Sequence, residues 1–206
     1  MPLPLPSKIV CVGRNYAAHA RELGNDVPVE PLLFLKPPSS LISSGESIRL
    51  PAVSNRVEYE GEIGVVVGQR LSRVSSKDAA LAIRGIVAAN DVTARDLQKS
   101  DSQWTRAKGF DTFCAVGEMA PAPAELASLV VVTRVNGTER QRGSARDMVF
   151  DIPALLSYIS GIMTLEAGDL VLTGTPEGVG TLAPGDVVEV EIDGVSRTSN
   201  PVTRAD

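Results

Sequence analysis

Most apolar residues in this chain fall in short runs separated by Gly, Pro, Asn and Asp. Residues 8–12, 32–36, 47–50, 85–89 and 129–135 are runs of this kind, and each predicts a strand. Helical spacing is rarer. It marks residues 15–23, 77–83, 93–99 and a segment from Pro153 to about Ile159. Asn15 is placed as N-cap of the first of these and Gly24 as its stop. Thr93 and Asp96 make a capping pattern at the start of the third. Residues 129–135, Asn136-Gly137 and residues 138–142 predict a hairpin, because Asn-Gly suits the positive backbone angles of a type I′ turn. Near the end, Ala167-Gly168-Asp169-Leu170-Val171 is echoed by Pro184-Gly185-Asp186-Val187-Val188, each a Gly-Asp turn feeding a strand. Short strands outnumber short helices, and no linker, charge block or low-complexity run divides the chain. The expected fold is mainly β with short α, a single α+β domain over residues 1–206.

Residues 57–68, Val-Glu-Tyr-Glu-Gly-Glu-Ile-Gly-Val-Val-Val-Gly, read as one strand with an unusual face. Alternation puts Tyr59, Ile63, Val65 and Val67 on one side and Glu58, Glu60 and Glu62 on the other. Carboxylates so close repel one another, and burying them without compensation costs several kcal/mol or more. Two readings stand: a solvated strand face, or a divalent cation bound through carboxylate oxygens. Asp91 follows an apolar strand and offers a third carboxylate, although an Asp there also suits a helix cap. Glu60, Glu62 and Asp91 together would serve Mg2+ or Mn2+ and leave positions open for water and substrate.

Other residues could carry chemistry. His19 is the single histidine, and Glu22 shares its helical face three positions on. They read as an acid–base pair or as a plain surface contact. Lys108 precedes Gly109 and Phe110, and could stabilise a developing enolate or oxyanion or be an ordinary surface lysine. Arg14, Lys36, Arg95 and Gln98 are candidates for holding a carboxylate substrate. Thr175, beside Gly174, offers a hydroxyl and backbone N–H groups to an anion.

Composition narrows the partners. At 206 residues and 43% hydrophobic, the chain can bury a sizeable core and is too apolar for disorder. A net charge of −5 argues against nucleic acid or an anionic membrane surface. Aromatics at 4% offer no stacking platform for bases. No apolar run approaches the length of a bilayer span, and no basic segment leading into an apolar one opens the chain as a secretory signal. Cys11 and Cys114 make no CxxC motif. Flanked by apolar residues, they read as buried thiols of a protein in a reducing cytoplasm.

The order of the pieces is more specific than any one of them. Gly13-Arg14-Asn15-Tyr16-x-x-His19-x-x-Glu22 is followed by Phe34-Leu35-Lys36-Pro37 and by Tyr59-Glu60-Gly61-Glu62-Ile63-Gly64. Asn90-Asp91-Val92-Thr93-Ala94-Arg95-Asp96-Leu97-Gln98, Lys108-Gly109-Phe110-Asp111 and Thr173-Gly174-Thr175-Pro176-x-Gly178-Val179-Gly180 then follow. Over residues 8–203 this series resembles the fumarylacetoacetate hydrolase superfamily, in its short single-domain members: acylpyruvate and fumarylpyruvate hydrolases and oxaloacetate decarboxylases. The resemblance implies a mixed β-sheet roll with peripheral helices, in a homodimer. It implies Glu60, Glu62 and Asp91 as Mg2+ or Mn2+ ligands, His19 and Glu22 as a dyad on a lid helix, and Lys108 beside the metal. Gln98 and Thr175, with Arg14 and Lys36, match positions that contact substrate. The implied reaction is metal-dependent cleavage of the C3–C4 bond of a small 2-oxo acid, by hydrolysis of an acylpyruvate or decarboxylation of oxaloacetate, leaving a pyruvate enolate. A 5-carboxymethyl-2-hydroxymuconate-type isomerase or decarboxylase of aromatic catabolism is the nearest rival. The His19–Glu22 pair, which such relatives tend to lack, argues against it. A non-catalytic, metal-dependent acid-binding domain is the rival of another class. One departure is visible: the stretch between Gln98 and Lys108 is shorter than in mammalian-type acylpyruvate hydrolases.

Overall fold

In the computed structural model, which describes residues 4–205, the apolar runs assemble into three sheets. The largest has seven strands, in the order Leu32–Lys36, Ile9–Gly13, Leu170–Leu172, Gly61–Val67, Ile83–Asp91, Cys114–Val116 and Leu41–Ser43. It is mixed. Ile9–Gly13 runs parallel to Leu170–Leu172, and Leu41–Ser43 parallel to Cys114–Val116, while the other neighbours are antiparallel. A five-stranded sheet runs Thr138–Ser144, Val130–Val135, Val187–Ile192, Ser196–Arg204, Ile48–Leu50. Gly180–Thr181, Val57–Tyr59 and Thr93–Ala94 form a small third sheet. The helices are short and peripheral, so the expected β-rich roll is the fold observed. No helix among the described residues is long and apolar enough to cross a membrane.

Both faces of the large sheet are buried, which explains its unbroken apolar runs. On one face Val10, Ile63, Val65, Ile86, Ala88 and Val171 pack against Val131, Val190 and Ile192 of the five-stranded sheet. Ile152, Leu156 and Ile159 of the helix Ile152–Ile162 join them. On the other face Ile9, Cys11, Val66, Val87, Cys114, Leu170 and Leu172 form a separate cluster. Glu62 has the parity of Val66, and Asp91 that of Val87 and Ala89. The carboxylates therefore cap this second buried face rather than a wet one. Cys11 and Cys114 are free and fully buried, and burial pushes the Cys114 thiol up to about 12.

Several local expectations hold. Asn136 and Gly137 both take positive φ, 52° and 78°, in the hairpin turn. Both Gly-Asp turns place the Asp carboxylate where it accepts the N–H of the residue three positions back, Glu166 for Asp169 and Ala183 for Asp186. Others need correction. Asn15 does not cap the first helix, Ala17–Glu22, whose N-cap is Tyr16. The Asn15 amide instead donates to the carbonyls of Phe150 (3.0 Å) and Thr173 (2.8 Å), and its oxygen accepts from Phe150 N–H. Thr93 does not cap the helix Arg95–Ser100, because its hydroxyl turns back to the carbonyl of Asp91 (2.8 Å). Residues 57–68 are two strands, broken at Glu60. A further short helix, Thr105–Lys108, follows Arg95–Ser100 and ends on Lys108.

Asp169 ties the N-terminal strand to the sheet. Its fully buried side chain accepts from the N–H groups of Ser7 (3.0 Å), Lys8 (3.1 Å) and Glu166 (2.8 Å) and pairs with the Lys8 ammonium. Asp169→Ala leaves three backbone N–H groups and the Lys8 ammonium without their acceptor. It should cost about 3 kcal/mol of unfolding free energy in a denaturant titration.

Candidate active site and cation centre

The break at Glu60 builds the site. The Glu60 N–H donates to Asn90 Oδ1 (3.0 Å), and the Asp91 N–H donates to the Glu60 carbonyl (2.8 Å). Backbone pairing thus sets Glu60 beside Asp91, while Glu62 comes from the adjoining strand with its side chain on the inner face. Glu58, Glu60, Glu62 and Asp91 are all at most 5% exposed, which excludes the solvated-face reading. One oxygen from each of Glu60, Glu62 and Asp91 lies within 4.8 Å of the others. Among the described residues this is the one acidic group of that kind.

Cations compensate three of the four carboxylates. Lys108 Nζ donates to Glu60 Oε2 (2.7 Å) and Asp91 Oδ2 (2.6 Å), and lies 4.9 Å from the centre of the Phe34 ring. Lys36 Nζ donates to Asp91 Oδ1 (2.7 Å) and the Val92 carbonyl (3.2 Å). Arg95 reaches Glu58 (2.7 Å), Glu60 and the side-chain oxygen of Gln98. Arg56 adds a second bond to Glu58 (2.6 Å). Burial raises the Glu60 pKa, but Lys108 and Arg95 outweigh it and hold that carboxyl far below the usual range. Burial alone would lower the Lys108 pKa, yet Asp91 and Glu60 overcome it and keep the ammonium charged.

Glu62 is the exception. It accepts the Gly174 N–H (2.7 Å) and pairs with no Lys, Arg or His among the described residues. Burial, then the negative charges of Asp91 and Glu60, push its pKa well up. A divalent cation would supply the compensation that the protein leaves out. The three carboxylates also match the all-oxygen preference of Mg2+ and Mn2+. The donor set therefore fits such an ion.

His19 faces the same cavity, whose volume is about 260 Å3, while Glu22 stands behind it on the same helix. His19, 5% exposed, lines it together with Glu60, Glu62, Asp91 and Lys108. His19 Nδ1 is 3.1 Å from Glu22 Oε2, and Glu22 Oε1 accepts the Gly178 N–H (3.0 Å). Arg14, Gln98 and Thr175 also line the cavity. Lys36 does not; it lies behind Asp91, almost fully buried, and acts on that carboxylate. Sequence reasoning gave no role to Trp104, Phe34, Leu23, Asn25 or Lys99, all of which line the cavity. Trp104 meets Phe34 edge-to-face at 5.3 Å. Its one signal was that it is the single tryptophan of an aromatic-poor chain.

Fold and site define a family before any particular reaction. Residues 8–203 match the model of the fumarylacetoacetate (FAA) hydrolase C-terminal family, and the chain belongs to that family. It is 45% identical over 204 residues to a mitochondrial oxaloacetate tautomerase of Arabidopsis thaliana, with 96% of this chain and 92% of that protein covered. The crystal structure of a 5-carboxymethyl-2-hydroxymuconate delta-isomerase from Mycobacterium smegmatis superimposes with a TM-score of 0.92 at 43% identity, covering 100% of this chain and 81% of that one. A fumarylpyruvate hydrolase from Pseudomonas aeruginosa, solved in complex with Mn2+ and pyruvate, superimposes with a TM-score of 0.91 at 30% identity, covering 100% and 92%.

Proposed function

We propose that this chain is a divalent-cation-dependent enzyme acting at C3 of a small 2-oxo dicarboxylic acid of the oxaloacetate class. Its reaction is enolisation, or cleavage of the C3–C4 bond through the same electron flow. The observation that carries this reading is that His19, oriented by Glu22, lines one cavity with the Glu60–Glu62–Asp91 cluster. A cavity of about 260 Å3 also suits a small acid, since sites for drug-sized ligands run to about 300–1,000 Å3.

Bound there, Mg2+ or Mn2+ supplies Lewis-acid withdrawal of electrons from the 2-oxo group. The protein's residues do the rest. His19 takes the C3 proton in enolisation; for an acylpyruvate it would take a proton from the attacking water. Glu22 holds the imidazole in place through Nδ1. The Lys108 ammonium, kept charged by its carboxylate neighbours, stabilises negative charge developing on the 2-oxo oxygen. In decarboxylation no proton need move first: C4 leaves as CO2 and the bonding electrons pass toward C2. Gln98, with its oxygen taken by Arg95, has its amide N–H2 available to substrate. Arg14 and Lys99 line the cavity, and neither pairs with a carboxylate among the described residues. They supply counter-charge for a second substrate carboxylate. Arg14 also holds a positive φ of 59°, a conformation that glycine or asparagine adopts more easily.

The test is a side-by-side panel of enol-oxaloacetate, keto-oxaloacetate, acetylpyruvate and fumarylpyruvate with Mg2+ or Mn2+. Oxaloacetate turnover that stops on chelation supports the reading. Turnover surviving exhaustive chelation removes the cation from it, and hydrolysis of acetylpyruvate without action on oxaloacetate removes the dicarboxylate. Arg14→Leu should lower kcat/KM for the dicarboxylate by about 10–100-fold, the worth of one charge-assisted contact.

A further inference from the structure

Residues 173–178 make more contacts with the site than any contact with substrate requires. The Thr173 hydroxyl donates to the Ile63 carbonyl (2.9 Å) and the Gly174 N–H to Glu62 (2.7 Å). The Thr175 hydroxyl donates to the Gly61 carbonyl (2.8 Å), and the Gly178 N–H to Glu22 (3.0 Å). One loop thus holds a proposed cation ligand at one end and the carboxylate that orients His19 at the other. What fixes the loop comes from another sheet. Gln141, 1% exposed, is the inward residue of the edge strand Thr138–Ser144, whose neighbours Arg140 and Arg142 are exposed. Its Oε1 accepts the Gly61 N–H (3.0 Å), and its Nε2 donates to Thr175 Oγ1 (2.8 Å) and the Pro176 carbonyl (2.8 Å). Gln141, Thr175 and the backbone N–H and C=O of Gly61 therefore close a buried ring between the two proposed ligands Glu60 and Glu62. The contact is tight. A Cβ on Gly178, which holds φ of +95°, would lie 2.1 Å from the Arg140 carbonyl oxygen.

We propose that Gln141 is a positioning residue, a clasp that seats residues 173–178 on the Gly61–Val67 strand and so sets both the cation site and the His19–Glu22 pair. This rests on the cation reading above. Gln141 touches neither ion nor substrate. It acts by fixing the backbone of Gly61, which sits between Glu60 and Glu62, and by fixing the loop whose Gly174 and Gly178 N–H groups aim Glu62 and Glu22. Groups that orient metal ligands in this way typically change metal affinity by about 10–100-fold when removed.

The experiment measures the Kd for Mn2+ and the hydrogen-exchange rate of the Gly178 amide in wild type, Gln141→Met and Thr175→Val. Methionine keeps the length of glutamine and removes its donors and acceptor. Valine keeps the shape of threonine and breaks the ring at the next link, so it carries the same prediction if Gln141→Met does not fold. The expected result is an Mn2+ Kd about tenfold or more higher, with faster Gly178 exchange. A purely structural glutamine would lower the unfolding temperature without moving either readout. Either readout staying at its wild-type value in a folded variant overturns the inference. Failure of the wild-type chain to bind Mn2+ overturns the cation reading and this inference together, whereas equal Kd values in wild type and variants overturn this inference alone.

Discussion

Glu62→Gln should leave the cation-free protein at least as stable as wild type and abolish its stabilisation by Mn2+. The two halves come from one fact: Glu62 is buried with a single backbone N–H and no cationic partner. Its raised pKa means that the ionised carboxylate is a cost in the cation-free fold. Glutamine removes the charge and keeps an oxygen for the Gly174 N–H. The cation-free variant is therefore expected to unfold at or above the wild-type temperature. With the ion present the sign reverses. A cation at about 100 times its Kd adds about 2.7 kcal/mol to the folded state, and a chain of this size gains about 2–4 °C per kcal/mol. Wild type should therefore melt about 5–10 °C higher with saturating Mn2+, and Glu62→Gln should not respond at that concentration. Calorimetry with and without chelator checks both halves. A wild type indifferent to Mn2+, or a Glu62→Gln variant destabilised without it, counts against the site.

His19→Ala should cut enolisation of oxaloacetate by about 10²–10⁴-fold, the usual worth of a positioned general base, while changing the Mn2+ Kd by less than about threefold. The separation follows from geometry. His19 is bonded to Glu22 on the helix Ala17–Glu22 and not to the carboxylate cluster, so its loss removes a proton acceptor without touching a proposed cation ligand. Glu22→Gln should give a smaller loss, because the amide oxygen still accepts the Gly178 N–H while an N–H2 replaces the carboxylate oxygen that faces His19 Nδ1. Unchanged turnover in His19→Ala would assign proton transfer elsewhere, with Lys108 the nearest alternative.

The parts of this architecture legible in the sequence are those that depend on local pattern. Apolar runs marked the strands, Asn136-Gly137 marked the hairpin, and the ordered motifs marked the Glu60, Glu62, Asp91, Lys108 and His19 cluster. Where side chains serve distant partners, local rules misled. Asn15 and Thr93 resemble helix caps, but their polar groups pair with Phe150, Thr173 and Asp91 across the fold. Residues 57–68 look like one strand because alternation does not register the change of sheet at Glu60. Gln141 was invisible: it sits in Thr-Glu-Arg-Gln-Arg-Gly-Ser, where every residue suits a wet edge strand and only tertiary contact shows which one turns inward. Lys36 and Arg95 could be read as substrate-binding cations, since sequence does not disclose that Asp91, Glu58 and Glu60 already engage them.

The break at Glu60 is also a seam. Val57–Tyr59 belongs to the small sheet and Gly61–Val67 to the large one, with one proposed cation ligand on the residue between them and the next on the far side. The Gln141 strand, from the remaining sheet, meets that seam from outside. A shift between the small sheet and the large one would change the distance from Glu60 to Glu62 and Asp91. If the proposed cation binds there, its affinity is a gauge of how those two layers are seated, and damage where they meet would register as a weaker grip on the ion.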